Sequence, residues 1–143
     1  MITITPQQAA HTRLTAMCID DSDFDLRLNE RVLRRSGAFH NILSFTGAED
    51  ALEFLRTNKR PIDAIFLDVN MPRMSGFEFL EAATSEFGAH FARSVVIMLT
   101  SSLNPKDHER ALTYEAVREF LSKPLTVEDA NMVAERIHGL LGE

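Results

Sequence analysis

The sequence predicts an α/β domain in which a five-stranded parallel sheet lies between two layers of helices. Three observations carry the prediction. Five short apolar runs recur along the 143 residues, each followed by a segment with helical periodicity or helix-capping signals. The best-defined runs, "AIFL" (64–67) and "SVVIMLT" (94–100), are almost continuously apolar, the pattern of a strand covered on both faces. Four of the five runs finish on polar or charged residues, namely Asp20-Asp21, Asp68, Thr100 and Lys123. Parallel strands would bring these groups to one edge of the sheet.

The first strand is read over "RLTAMCI" (13–19). The helix after it, Asp23 to Ser36, places Phe24, Leu28 and Val32 at i, i+4 and i+8, and Gly37 stops it. "HNILSF" (40–45) is the second strand. "TGAE" reads as a capping box, Thr46 at the N-cap and Glu49 at N3, opening a helix with Ala48, Ala51, Leu52 and Leu55 on one face. "DAIFL" (63–67) is the third strand. "SGFE" (75–78) is a second capping box, followed by Phe77, Leu80, Thr84 and Phe87 at helical spacing and by Gly88 as the stop. "SVVIMLT" is the fourth strand. Asn104-Pro105 supplies an N-cap with proline at the first helical position, and the polar helix it opens runs to about Tyr114. "REFLS" (118–122) is the fifth strand, and Thr126 caps a last helix that turns Val127, Ala130, Val133, Ala134, Ile137 and Leu141 inward. Five βα units joined by right-handed crossovers predict a flavodoxin-like, doubly wound sheet of order 2-1-3-4-5 with five helices.

Composition narrows the function classes. A chain that is 45% apolar and 25% charged has an ordinary globular balance. Its net charge of −6 argues against a partner that is nucleic acid or an anionic membrane, since either needs a basic field. The basic cluster Arg31, Arg34 and Arg35 falls at a helix C-terminus, where it complements the helix dipole. Cys18 is the single cysteine and sits in an apolar run, which excludes an internal disulfide and suits a reducing cytoplasm. No apolar stretch approaches the roughly 20 residues that span a bilayer. Residues 1–12 read as a loose leader without signal-peptide character, and 13–143 as one domain. His11, His40, His90, His108 and His138 show no metal-ligand spacing, and no Gly-rich phosphate loop is present.

In the predicted strand order a ligand binds at the switch point between strands 1 and 3, where Asp20, Asp21 and Asp68 would meet. Two carboxylates about 4 Å apart repel by roughly 4 kcal/mol at an effective dielectric near 20. Hard oxygen ligands of this kind favour Mg²⁺, whose remaining positions take water or phosphate oxygens. Lys123 adds a cation and Thr100 a hydroxyl donor, which completes the set that phosphoryl transfer needs. Asp68, on the central strand, is the chosen nucleophile, because a carboxylate can form an acyl phosphate; Asn70, two residues on, can turn a backbone carbonyl to the metal. Singly, each residue has a plainer reading as a helix cap, an ST turn or a solvated loop lysine. Their joint placement at the ends of strands 1, 3, 4 and 5 is what argues for a site.

The segments "CIDDSDF", "IFLDVNMPRMSGFEFL", "VVIMLTSS" and "EFLSKPLT", in this order and spacing, resemble a response regulator receiver domain over about residues 13–141. The resemblance implies that Asp68 accepts a phosphoryl group from a phosphohistidine on a sensor histidine kinase or a histidine phosphotransfer protein. It implies that Asp21 ligates Mg²⁺ directly, Asp20 largely through water, and the Asn70 carbonyl as a third protein ligand. Thr100 is the implied switch hydroxyl and Lys123 the phosphate-binding cation, with a cis peptide at Lys123-Pro124. Phe120 occupies the aromatic switch position, a plain core aromatic being the alternative. Asn70 and Ser102 stand where similar proteins tune the lifetime of the acyl phosphate, and neither is bulky or charged. One departure is Ala116-Val117, where the family often has Gly-Ala; a left-handed Ala116 would cost roughly 1 kcal/mol.

These implications describe a cytoplasmic signalling phosphoacceptor rather than an enzyme. After Leu141 two residues follow, so the expectation is a single-domain protein whose output is a contact with a downstream protein target, a phosphorelay step, or a phosphate sink. The rival is a receiver-like adaptor that works without phosphorylation. "DVNMP" also resembles the start of a haloacid-dehalogenase phosphatase motif, but the second Asp and following Thr of that motif are missing.

Overall fold

Strands β1 (Leu14–Ile19), β2 (Phe39–Phe45), β3 (Ala64–Asp68), β4 (Val96–Thr100) and β5 (Val117–Ser122) form one sheet of order β2-β1-β3-β4-β5. Every neighbouring pair is parallel. The computed structural model describes residues 14–141, so the leader read over residues 1–12 lies outside the described residues. Helices α1 (Asp23–Ser36), α2 (Ala48–Thr57), α3 (Gly76–Phe87), α4 (Ala89–Ala92), α5 (Pro105–Ala111) and α6 (Val127–Leu141) connect the strands or follow them. No described helix is long and apolar enough to cross a membrane.

The two faces of the sheet carry two cores, because successive strand residues point to opposite sides. Met17, Ile19, Leu67 and Met98 face one way and pack with Leu52, Phe79 and Leu80 of α2 and α3. Ala16, Cys18, Phe66 and Ile97 face the other way and pack with Leu33 of α1 and Val133 and Ile137 of α6. This is why the runs read as continuously apolar. Burial, with the charges of Glu30 and Asp20 adding, pushes the Cys18 thiol up to about 12, which leaves it unreactive.

The structure differs from the sequence reading in several places. There are six described helices rather than five. The chain turns through Gly88 (φ 56°) and re-enters helix for one turn, α4, which buries Phe91 edge-on against Phe79; a single turn is too short to show a period. In α1 the buried face is Leu26, Asn29 and Leu33, not Phe24, Leu28 and Val32, and Phe24 is 74% exposed. The helix is rolled so that its i, i+3, i+7 stripe meets the sheet and α6. The N-cap of α2 is Gly47 rather than Thr46, and no side chain caps it; Glu49 and Asp50 in its first turn still complement the dipole. Thr84 of α3 is exposed, and α5 ends at Ala111, short of Tyr114. Strand ends shift by a residue or two, so that Asp68 is the last residue of β3, paired with Leu99.

Other expectations hold. Ser75 and Glu78 exchange both bonds of a capping box, and Asn104 caps α5 with Pro105 in its first turn. Thr126 and Asp129 cap α6 reciprocally, at 3.0 and 3.1 Å. Lys123-Pro124 is cis. Ala116 avoids the left-handed region: Arg73, at φ 69°, is the non-glycine residue that adopts it among the described residues.

Gly76, the first residue of α3, lets that helix start directly against the end of β3. Its N–H donates to the Val69 carbonyl at 3.0 Å. A Cβ here would lie 2.4 Å from the Asp68 carbonyl oxygen and 3.1 Å from Val69 Cα. Gly76→Ala is therefore expected to displace backbone and to destabilise the fold by about 1–3 kcal/mol. Thermal unfolding should show a Tm lower by about 3–10 °C; an unchanged Tm would refute this packing.

Candidate functional site

Each side chain of interest arrives at the carboxyl edge of the sheet because a strand ends there. Asp20 follows β1 and is 1% exposed; Asp68 closes β3 and is 5% exposed; Asp21 is exposed. One carboxylate oxygen from each of the three lies within 4.8 Å of the other two. The acid pair and Asp68, 47 residues or more apart in the chain, thus converge as the strand order requires.

Lys123 enters this cluster from the end of β5. Its backbone N–H donates to the Thr100 carbonyl at 2.7 Å, which ties the β5 end to β4. Its Nζ lies 2.8 Å from Asp20 Oδ2, 3.0 Å from Asp25 Oδ2 and 3.4 Å from Asp68 Oδ1. Asp25 was not among the residues singled out from sequence. It sits in the first turn of α1, where an acid reads as a dipole partner, and only the fold brings it to Lys123.

Asp20 is anchored on one side alone. Its Oδ1 accepts from the Ser22 N–H at 2.9 Å. Its Oδ2 is buried and has Lys123 as a charge partner, but no hydrogen bond of good angle reaches it. Asp68 Oδ1 accepts from the Asn70 N–H at 3.4 Å. Thr100, fully buried, turns its hydroxyl to its own loop: it donates to the Ser102 carbonyl at 2.9 Å and accepts from the Ser102 N–H at 3.1 Å. Phe120 is half-buried, and its ring stacks on exposed His108 with 5.2 Å between centroids and 6° between planes.

The electrostatics follow from these positions. Burial raises the Asp68 carboxyl first and the Asp20 charge adds to it, while Lys123 and the Asn70 N–H oppose; the balance lifts it from its usual range to about 7. For Lys123 burial acts against the charged form, but Asp20, Asp25 and Asp68 outweigh it and hold the ammonium above its ordinary range. Three carboxylates, those of Asp20, Asp25 and Asp68, share this one ammonium, and the Asp21 carboxylate lies beside two of them. A surplus of hard oxygen donors, one of them a buried oxygen with a charge partner but no well-aligned hydrogen-bond donor, fits a small divalent cation such as Mg²⁺.

Known proteins resemble most of the chain. The profile of the family described as response regulator receiver domain matches residues 16–135. A two-component response regulator of Arabidopsis thaliana is 30% identical over 124 residues, which cover 87% of this chain and 20% of that protein. The chain thus spans about a fifth of the length of that curated relative. Among solved structures, a two component response regulator from Cytophaga hutchinsonii aligns with a TM-score of 0.83 at 29% identity, covering 92% of this chain and 99% of that one. A response regulator receiver protein from Dyadobacter fermentans aligns with a TM-score of 0.77 at 30% identity, covering 87% and 97%.

The raised Asp68 has a consequence for stability without metal. An unfolded aspartate titrates near 3.9 and the folded one near 7, so the folded state binds the extra proton between these values and loses stability as pH rises through them. In EDTA, Asp68→Asn should be more stable than the parent at pH 8, by roughly 2–4 kcal/mol. The gap should close by about pH 4. Urea unfolding at the two pH values measures it, and an equal gap at both would contradict the electrostatic account.

Proposed function

The chain belongs to the response regulator receiver domain family, and on that premise we propose that it accepts a phosphoryl group on Asp68 from a phosphohistidine of a sensor histidine kinase or histidine phosphotransfer protein, with Mg²⁺ held by Asp21, Asp68 and the Asn70 carbonyl and supported by Asp20. The observation that carries this reading is the convergence of Asp20, Asp21 and Asp68 beside the Lys123 ammonium. An Asp68 oxygen forms the new O–P bond as the donor's N–P bond breaks, and the imidazole keeps that electron pair. Bound Mg²⁺ supplies charge neutralisation for the phosphoryl oxygens. Lys123, now spread over three carboxylates, is within reach of a phosphoryl oxygen added to Asp68.

Thr100 is the proposed sensor. Its hydroxyl now satisfies its own loop; a bond to the phosphoryl group replaces that pairing and draws the loop inward, and Phe120 leaves His108 to follow. The output is a contact with a downstream protein, and a phosphorelay or phosphate-sink role uses the same chemistry. The module acts as a signalling phosphoacceptor rather than as an enzyme with a separate substrate. An adaptor that works without phosphorylation has no use for an acid that burial and the Asp20 charge hold near 7, which favours the phosphoacceptor.

Incubation with Mg²⁺ and acetyl phosphate should add one phosphoryl mass to the protein, and Asp68→Asn should abolish the addition; an increment retained in the variant would overturn the assignment. Thr100→Ala should still take the phosphoryl group but lose the switch. Reversing a two-state population from 1:99 to 99:1 takes about 5.5 kcal/mol, so losing one of the contacts that supply it should leave the Phe120 ring signals largely unresponsive to BeF₃⁻ by NMR. A wild-type response in the variant would remove Thr100 from the mechanism.

A further inference from the structure

A cavity of about 370 Å³ lies at the amino edge of the sheet, the end of β3 opposite Asp68. Its floor is apolar: Ile65 and Phe91 are 1% and 3% exposed, and Leu55, Ile62 and Phe87 are half-buried. The one-turn helix α4, absent from the sequence reading, supplies Phe91 and so completes the wall. The volume falls within the range of small-molecule sites, which combine an apolar lining with a few polar groups.

The rim has one sign of charge. Lys59, Arg60 and His90 line it, all exposed, and no acid is among the lining residues, in a chain with 21 acidic and 15 basic residues. Neither Lys59 nor Arg60 makes an ion pair among the described residues. Arg56, one turn earlier, is by contrast neutralised by Glu53 at 2.9 Å and by Glu86 at 2.6 Å, and the second pair ties α2 to α3 beside the cavity. The rim is also ordered before any ligand arrives. Asn58 Nδ2 donates to the Arg60 carbonyl at 2.6 Å, its Oδ1 accepts from the Arg60 N–H at 3.2 Å, and Pro61 fixes the next φ. Such preorganisation lowers the cost of binding.

The geometry points to a ligand site at the amino edge of the sheet for a small amphipathic carboxylate, its apolar body on Ile62, Ile65 and Phe91 and its carboxylate at Lys59 and Arg60. The asymmetry of the rim selects the charge: an anion meets two unpaired cations, whereas an ammonium of the same shape meets two like charges. The neighbouring cavity of about 340 Å³ shares Asn58, Arg60 and Ile62 with this one, so a chain longer than the first cavity has somewhere to extend. The site uses none of the residues around Asp68, and the inference is independent of the phosphoacceptor reading.

Titration of the 143-residue protein with decanoate, followed by NMR of the isoleucine methyls and backbone amides, tests it. Decanoate should shift the Ile62, Ile65 and Phe91 signals and leave those of Asp20 and Thr100 in place. Decanol, of the same shape without charge, should bind at least about tenfold more weakly. The double variant Lys59→Gln, Arg60→Gln changes surface residues and should fold; it should lose about tenfold in decanoate affinity and less than about twofold in decanol affinity. Decanol binding as tightly as decanoate, shifts centred elsewhere, no saturable binding, or capture only by anionic phospholipid vesicles would each overturn the assignment.

Discussion

Four carboxylates at one sheet edge are tolerable because Lys123 reaches into them. Its ammonium lies within 3.4 Å of oxygens from Asp20, Asp25 and Asp68, and two of those residues are almost fully buried. A buried acid without a partner takes up a proton or disfavours the fold; these acids instead share one cation that cannot satisfy all of them. The remaining imbalance is visible in Asp68, lifted to about 7, and in Asp20 Oδ2, buried with a charge partner but no well-aligned donor. A divalent cation among these carboxylates would relieve that imbalance.

The rest of the fold serves this arrangement. Parallel strands set the carboxyl ends side by side, and the crossover from β2 passes β1 and sets β3 on its other side, so that the acid pair meets Asp68. The Lys123 N–H bond to the Thr100 carbonyl fixes the lysine's point of departure. Gly76 brings the start of α3 within contact of the Asp68 backbone. Thr100 and Phe120 lie on the same side, one turned to its own loop and the other stacked on His108.

Much of this is legible in the sequence alone, for a specific reason. A strand buried on both faces has to be apolar throughout, so a terminal Asp, Thr or Lys stands out against its run. Parallel topology then makes the ends of separate runs neighbours, which is how Asp20, Asp21, Asp68, Thr100 and Lys123 were read as one cluster. What escaped the reading lacks such contrast. Asp25 looks like any acid in a first helical turn. Gly76 is one of several glycines near helix ends, and its need for a bare Cα is set by the approach of β3. The rotation of α1 that exposes Phe24 and buries Asn29 depends on how α6 packs beside it, a tertiary choice that helical periodicity alone leaves open. The single turn of α4 is shorter than any period.

On this reading a divalent ion belongs among Asp20, Asp21 and Asp68, and Lys123 yields part of its pairing to it. Anomalous diffraction from crystals grown with Mn²⁺ in place of Mg²⁺ measures this directly. One metal peak bonded to Asp21 and Asp68 is expected, with the Lys123 ammonium moved away from Asp68. Crystals with no peak there, and the lysine still bridging Asp20 and Asp68 at high Mn²⁺, would contradict it.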